Sequence, residues 1–122
     1  NYVMREVKWI LFFHVIFLIS CTKDKAEQYI STPTFHDIQV LSNEFSPDTL
    51  NINLGDTVKW TNNSGFHNIN ASLALYPNNP EGFENSISQN WTFTHTFTII
   101  GTYEYRCEPH FTMGMQGAIV VQ

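Results

Sequence analysis

The stretch Cys107-Glu108-Pro109-His110-Phe111-Thr112-Met113-Gly114-Met115 places a thiol, an imidazole three positions on and a thioether five beyond that on one short loop. His67 stands forty residues before the cysteine. Two imidazole nitrogens, a thiolate and a weakly held axial thioether form the ligand set of a blue-copper centre. The spacing has a mechanical reason. Cys107 ends a run in which Tyr103 and Tyr105 share its parity, and Pro109 stiffens the reversal so that His110 faces the same point. Met115 closes the loop as the long axial ligand, and His67, at the start of another strand, completes the set. Four protein ligands leave no position for a substrate, so the pattern points to carrying electrons rather than to a catalytic metal with an open site.

Each residue also has a plainer reading. A lone Cys is most often buried and inert, and a strand His is most often satisfied by hydrogen bonds; the shared offsets of Cys107, His110 and Met115 favour ligation. Met113 is close enough that a two-residue shift of register would exchange it with Met115. His36 and His95 lack comparable partners, and His95, on one parity with Phe93, Phe97 and Ile99, reads as a satisfied core or edge histidine. Glu81, Glu84 and Glu108 read as solvated surface. There is no serine triad, P-loop or CxxC knuckle, and a binuclear copper centre would need two bridging cysteines near one another.

The elements that must position these residues follow a period of two. Ile38 and Val40, then Leu50, Ile52 and Leu54, alternate with polar neighbours; Val58 and Trp60 share a face after the turn at Gly55-Asp56. After Asn62-Asn63-Ser64-Gly65, His67 and Ile69 share the next face. Phe93, His95, Phe97 and Ile99 alternate with four threonines, Gly101 breaks that run, and Gly117 opens a last strand, Ala118 to Val121. Six or more short strands with turns between them, and no 3.6-residue period, predict an all-β, antiparallel sandwich. Residues 71–89, with Pro77, Pro80 and Gly82, read as a long excursion containing at most one helical turn.

The N-terminal part has a different character. Trp9 to Ile19 is apolar but for His14, follows Arg5 and Lys8, and exits at Ser20-Cys21. Eleven residues are short for a span, and the basic start with a small-residue exit suits a signal peptide over 1–20, with Met4 as the expected initiator. Leu18-Ile19-Ser20-Cys21 resembles the bacterial lipobox, which implies acylation at Cys21 and a membrane-anchored lipoprotein on the periplasmic side. Residues 21–34 then read as a flexible tether and 35–122 as the one folded domain. Cys107 would be left as a lone thiol in an oxidising compartment, a hazard unless something holds it. From residue 21 on, Lys23, Lys25, Lys59 and Arg106 stand against ten Asp or Glu, a formal −6. That balance argues against binding nucleic acid phosphates and against a polybasic grip on anionic lipid. A length of 122 residues is that of one domain with a tether, and a multidomain enzyme is not expected from it.

Two segments, F-S-P-D-T-L-N-I-N-L-G-D-T-V-K-W-T-N-N-S-G-F-H-N-I (Phe45 to Ile69) and F-T-I-I-G-T-Y-E-Y-R-C-E-P-H-F-T-M-G-M-Q-G-A-I-V-V (Phe97 to Val121), resemble the plastocyanin/azurin family of cupredoxins. The second is especially similar to the pseudoazurin and amicyanin loops. The resemblance implies a Greek-key sandwich of about eight strands with one copper ion near one end, held by His67, Cys107, His110 and Met115, with Met113 outside the copper sphere. It implies that Asn68 ties its strand to the Cys107 loop, that Tyr103 forms a tyrosine corner, and that His110 reaches the surface through an apolar exit patch of Phe66, Phe111 and Met113. The implied function is single-electron transfer between redox proteins by a monomer. The alternatives are a copper storage or delivery module, which would use the same ligands, and a metal-free binding sandwich; an enzyme is the least expected.

Overall fold

The computed structural model describes residues 31–122. The expected signal peptide, Cys21 and most of the tether therefore lie outside the described residues. Seven strands form: β1 (Phe35–Val40), β2 (Phe45–Ser46), β3 (Thr49–Ile52), β4 (Thr57–Asn62), β5 (Trp91–Thr96), β6 (Gly101–Arg106) and β7 (Gln116–Val121). A 3-10 helix, Glu108–Met113, interrupts the run between β6 and β7. The strands make two sheets, in the orders β2-β1-β4-β5 and β3-β7-β6.

Alternation explains the layers. In β4 the buried side chains are Val58, Trp60 and Asn62, and in β6 they are Tyr103 and Tyr105. Facing each other, Val58, Trp60, Tyr103 and Tyr105 join Ile38, Phe45, Ile69, Phe97, Met115 and Ile119 in one core. Trp60 lies at its centre, with ring centroids 5.6 Å from Tyr105 and 5.9 Å from Phe93. Each large apolar side chain so buried contributes roughly 1.5–3 kcal/mol.

Two sequence expectations need correction. The sandwich is not wholly antiparallel: β1 pairs with β4, and β3 with β7, in parallel. Alternation reports which face is buried, and it is silent on the direction of the neighbouring strand. The described residues form seven strands, in keeping with the expected number of about eight, and residues 71–90 run through turns and isolated bridges. This excursion nevertheless closes the free edge of β6. Asn70 exchanges both backbone hydrogen bonds with Arg106, at 2.9 and 3.1 Å. Asn79 does the same for Glu104 with its side-chain amide, donating to the carbonyl at 2.8 Å and accepting from the amide at 2.9 Å. An edge so covered has few groups left to recruit another chain. Finally, Leu54 and Ile99 fall beyond the ends of β3 and β5 and are exposed instead of continuing the buried face. The corner at Tyr103 is as expected, its hydroxyl donating to the Ile99 carbonyl at 2.7 Å.

At the end of the sandwich where β1 and β4 begin, Asp56 is buried and gathers three donors. These are the Thr34 amide at 2.8 Å, the Asn53 amide at 3.0 Å and His36 Nε2 at 2.8 Å. Burial alone would raise this carboxyl; the His36 side chain and the two amides overcome it and hold the group below its ordinary 3.8. A lowered carboxyl contributes stability that is complete above pH 3.8 and is lost as pH falls through the folded value. Asp56→Ala is expected to cost about 3 kcal/mol in urea unfolding at pH 7, by leaving buried donors without their charged acceptor. The gap between variant and wild type should narrow as the pH is lowered towards 2; a constant gap would show that charge plays no part.

Candidate metal centre

At the opposite end, β6 delivers Cys107 in extended geometry (φ −95°, ψ 118°) as the residue that starts the 3-10 helix. Pro109 suits the first turn, since its missing amide would have had no partner there. The loop is then stitched closed by its own backbone. Cys107 N donates to Met115 O at 3.0 Å, His110 N to Cys107 O at 3.3 Å and Met115 N to His110 O at 3.2 Å. Gly114 takes φ +86°, a left-handed turn that glycine adopts without steric cost, and ends the helix. These bonds carry Met115 back to a position of complete burial beside Cys107.

His67 comes from the loop after β4. It sits on an isolated bridge with Ser88 rather than on a strand, with 3.2 Å hydrogen bonds in both directions. Trp91 Nε1 donates to both the His67 and the Ser88 carbonyls at 3.1 Å. Asn62, buried at the end of β4, accepts from Ser64 N at 3.2 Å and donates to the Gly65 carbonyl at 3.0 Å, which shapes the turn. Gly65 has φ +82°, and a Cβ there would lie 2.7 Å from His67 Nε2. The ring therefore packs against bare backbone on that side.

The three donors converge. Cys107 Sγ lies 3.6 Å from His67 Nδ1 and 3.5 Å from His110 Nδ1, and all three ligand atoms fall within 4.8 Å of one another. The two imidazole rings have centroids 4.5 Å apart. With the ring proton on Nε2 in both imidazoles, the two Nδ1 atoms and the sulfur present their lone pairs to one point. Thiolate and imidazole donors, enclosed with a thioether-bearing residue at hand, fit a soft transition-metal cation. Burial and, after it, the neighbouring His110 push the His67 imidazole down towards its neutral, lone-pair-bearing form. Burial raises the Cys107 thiol, opposed by the backbone amides of Asn68 and His110. A cation at this point would supply the charge that a buried thiolate needs.

Asn68 Oδ1 accepts the Glu108 amide at 2.8 Å, which joins the His67 loop to the residue after Cys107. Asn85 supports the same segment by accepting from Ile69 N at 2.7 Å. Glu108, read above as solvated surface, is instead engaged. Its carboxylate takes Arg106 Nε at 2.9 Å, the Arg106 terminal nitrogen at 3.2 Å and Asn70 Nδ2 at 3.1 Å. The Arg106 guanidinium also lies 4.2 Å from the centre of the Phe111 ring. Phe66, Phe111 and Met113 are exposed, whereas Cys107 and Met115 are wholly buried. A depression of about 320 Å³ opens at this surface, lined by Ser42, Ser64, Gly65, Phe66, His67, Pro109 and His110. His36 and His95 take no part; they pair with Asp56 and with Glu81, the latter at 2.9 Å. Sequence reasoning missed Asn62, Asn85, Trp91 and Arg106. Their only advance sign was an Asn-rich turn, which specifies a bend but not what it supports.

A two-sheet sandwich with His, Cys and His donors gathered at one end is a cupredoxin. Residues 35–122 match the profile of the copper binding proteins of the plastocyanin/azurin family, and the chain belongs to that family. It is 39% identical over 84 residues to a plastocyanin of Scenedesmus fuscus, covering 64% of this chain and 86% of that one. It is 32% identical over 77 residues to a pseudoazurin of Paracoccus pantotrophus, covering 63% of this chain and 52% of that one. Among solved structures, a pseudoazurin from Sinorhizobium superposes with a TM-score of 0.62 at 29% identity, covering 73% of this chain and 74% of that one. The cofactor of this family, which the donor set fits, is one copper ion.

Asn68→Ala removes the acceptor that joins the two loops. Copper affinity in a competition assay should fall roughly 10- to 100-fold, the usual effect of losing a group that orients metal ligands. Unchanged affinity would mean that the loops hold their positions without this bond.

Proposed function

We propose that the domain carries single electrons between redox proteins outside the cytoplasm, and that His67 Nδ1, Cys107 Sγ, His110 Nδ1 and the Met115 thioether would hold the copper. The convergence of three donor atoms within 4.8 Å carries this reading. Bound there, the copper supplies a Cu(I)/Cu(II) couple that takes up and gives back one electron at a time. The chain's own residues do the rest. Asn68 and the backbone bonds of residues 107–115 fix the ligands in place, and burial of Cys107 and Met115 keeps water from the centre. His110, less buried than His67, lines the surface depression with Phe66, and the exposed Phe111 and Met113 follow it in the loop, so the three side chains would form its exit patch. That apolar patch would receive the donor and the acceptor in turn, and the acidic surface would favour basic partners. Export by the signal peptide and acylation at Cys21 would keep the carrier on the periplasmic face of a membrane. A role in releasing copper to other proteins is less favoured, since the ligands come from two loops tied together around a buried sulfur.

Titration of the metal-free protein with Cu(II), followed by visible absorption and paramagnetic resonance, tests the assignment. An intense thiolate-to-copper band at one equivalent is expected, and its loss in Cys107→Ser. Met115→Leu should keep the band and shift the reduction potential, while Met113→Leu should change neither. A band that survives Cys107→Ser, or a potential governed by Met113, would overturn the ligand set.

A further inference from the structure

The end of the sandwich farthest from the metal carries its own exposed apolar group. Phe35 is 74% exposed, Leu54 45%, Ile99 45% and Ile100 62%. Strand register places all four at that end. Phe35 stands opposite Thr57 at the start of β4, the Leu54 amide donates to the last carbonyl, that of Gln122, and Ile99 and Ile100 precede Gly101, which pairs with Val121. His67, Cys107 and His110 lie past the other ends of β4 and β6, one strand length away, or about 20 Å for six residues.

We infer that this end rests on the lipid surface to which the N-terminal segment leads, so that the metal end faces away from the bilayer. The inference rests on the anchoring proposed above. The chain enters the fold at the same end, where Thr34 N donates to Asp56. The thirteen Cα-to-Cα steps from Cys21 to Thr34 reach at most about 45 Å when fully extended, which leaves every orientation open. Chain length therefore does not decide which face meets the lipid; surface chemistry must.

Charge points the same way. Around the apolar end Asp37 is ion-paired with Lys59 at 2.9 Å, Asp56 is buried beneath its hydrogen bond to His36, and Glu81 is hydrogen-bonded to His95. Glu44, Asp48, Glu84 and Glu104, which have no ion-pair partner among the described residues, lie beside the middle or the metal end. An anionic membrane would repel that half of the domain and tolerate the other. Four side chains do not anchor a protein alone, since even a single acyl chain binds only reversibly. They are enough to set the orientation of a domain that is already tethered, and exposed apolar side chains gathered at one end of a tethered domain are the kind of surface that meets lipid.

The test uses the full chain, copper-loaded, on vesicles of phosphatidylethanolamine and phosphatidylglycerol containing a lipid with a diazirine near its headgroup. After flotation and illumination, mass spectrometry maps the adducts. The expected result is labelling at Phe35, Leu54, Ile99 and Ile100, lost in a Phe35→Ser, Leu54→Ser, Ile100→Ser variant whose visible copper band shows that it is folded. Floating protein labelled at Phe66, Phe111 or Met113, or unlabelled on the domain, overturns the orientation and leaves the anchor standing. Protein that does not float overturns the anchor and the orientation with it. Protein-to-protein crosslinks at the four side chains, in place of lipid adducts, would show a second copy there and would also overturn the proposal.

Discussion

The metal centre depends on holding together two loops that are forty residues apart in the chain. The short hydrogen bond from the Glu108 amide to Asn68 Oδ1 does this next to the metal point, and the paired backbone bonds of Asn70 and Arg106 repeat it one step away. Asn68, Arg106 and Glu108 are immediate neighbours of a ligand, and Asn70 lies three residues past His67. These ties fix the backbone on either side of Cys107 and just after His67, so that the imidazole nitrogens meet the sulfur at 3.5 and 3.6 Å without help from long, flexible side chains. Because buried amides left unpaired are costly, the arrangement resists opening at the point where opening would matter most.

The rest of the molecule can be understood as support for that join. Trp60, Tyr105 and Phe45 fill the core directly behind the loops. Gly117 has no side chain because Tyr105 lies across it; a Cβ there would collide with the hydroxyl end of the ring and come within 2.9 Å of the Asp48 carbonyl. The excursion after Ala71 covers the edge of β6, the strand that carries Cys107, and Asn85 within it braces Ile69 beside Asn68. A centre meant to change charge with little change of shape needs such backing, because ligands that shift between redox states slow the transfer.

How much of this was legible in the sequence depended on how local the interaction is. The loop from Cys107 to Met115 was readable because a proline, a glycine and three chemically distinctive side chains fall within nine residues. The burial of Val58, Trp60, Tyr103 and Tyr105 was readable from alternation. Parallel pairing of β1 with β4 was not, since strand direction is decided by the whole topology. Leu54 and Ile99 continue an alternating pattern past the last ladder bond, so pattern alone put them in the core. The amides of Asn62, Asn79 and Asn85 carry no signature beyond a preference for turns, and only the fold shows that each replaces a backbone partner. Arg106 and Glu108 flank a ligand, but nothing in their spacing announced that they would pair with each other and with Asn70.

X-ray absorption at the copper edge, recorded at pH 7 on the oxidised and the reduced protein, addresses the central claim most directly. Preset ligands predict one short copper–sulfur and two copper–nitrogen distances, with the same set kept and little altered in both states. Loss of a nitrogen on reduction, or an oxygen in place of the sulfur, would contradict the account.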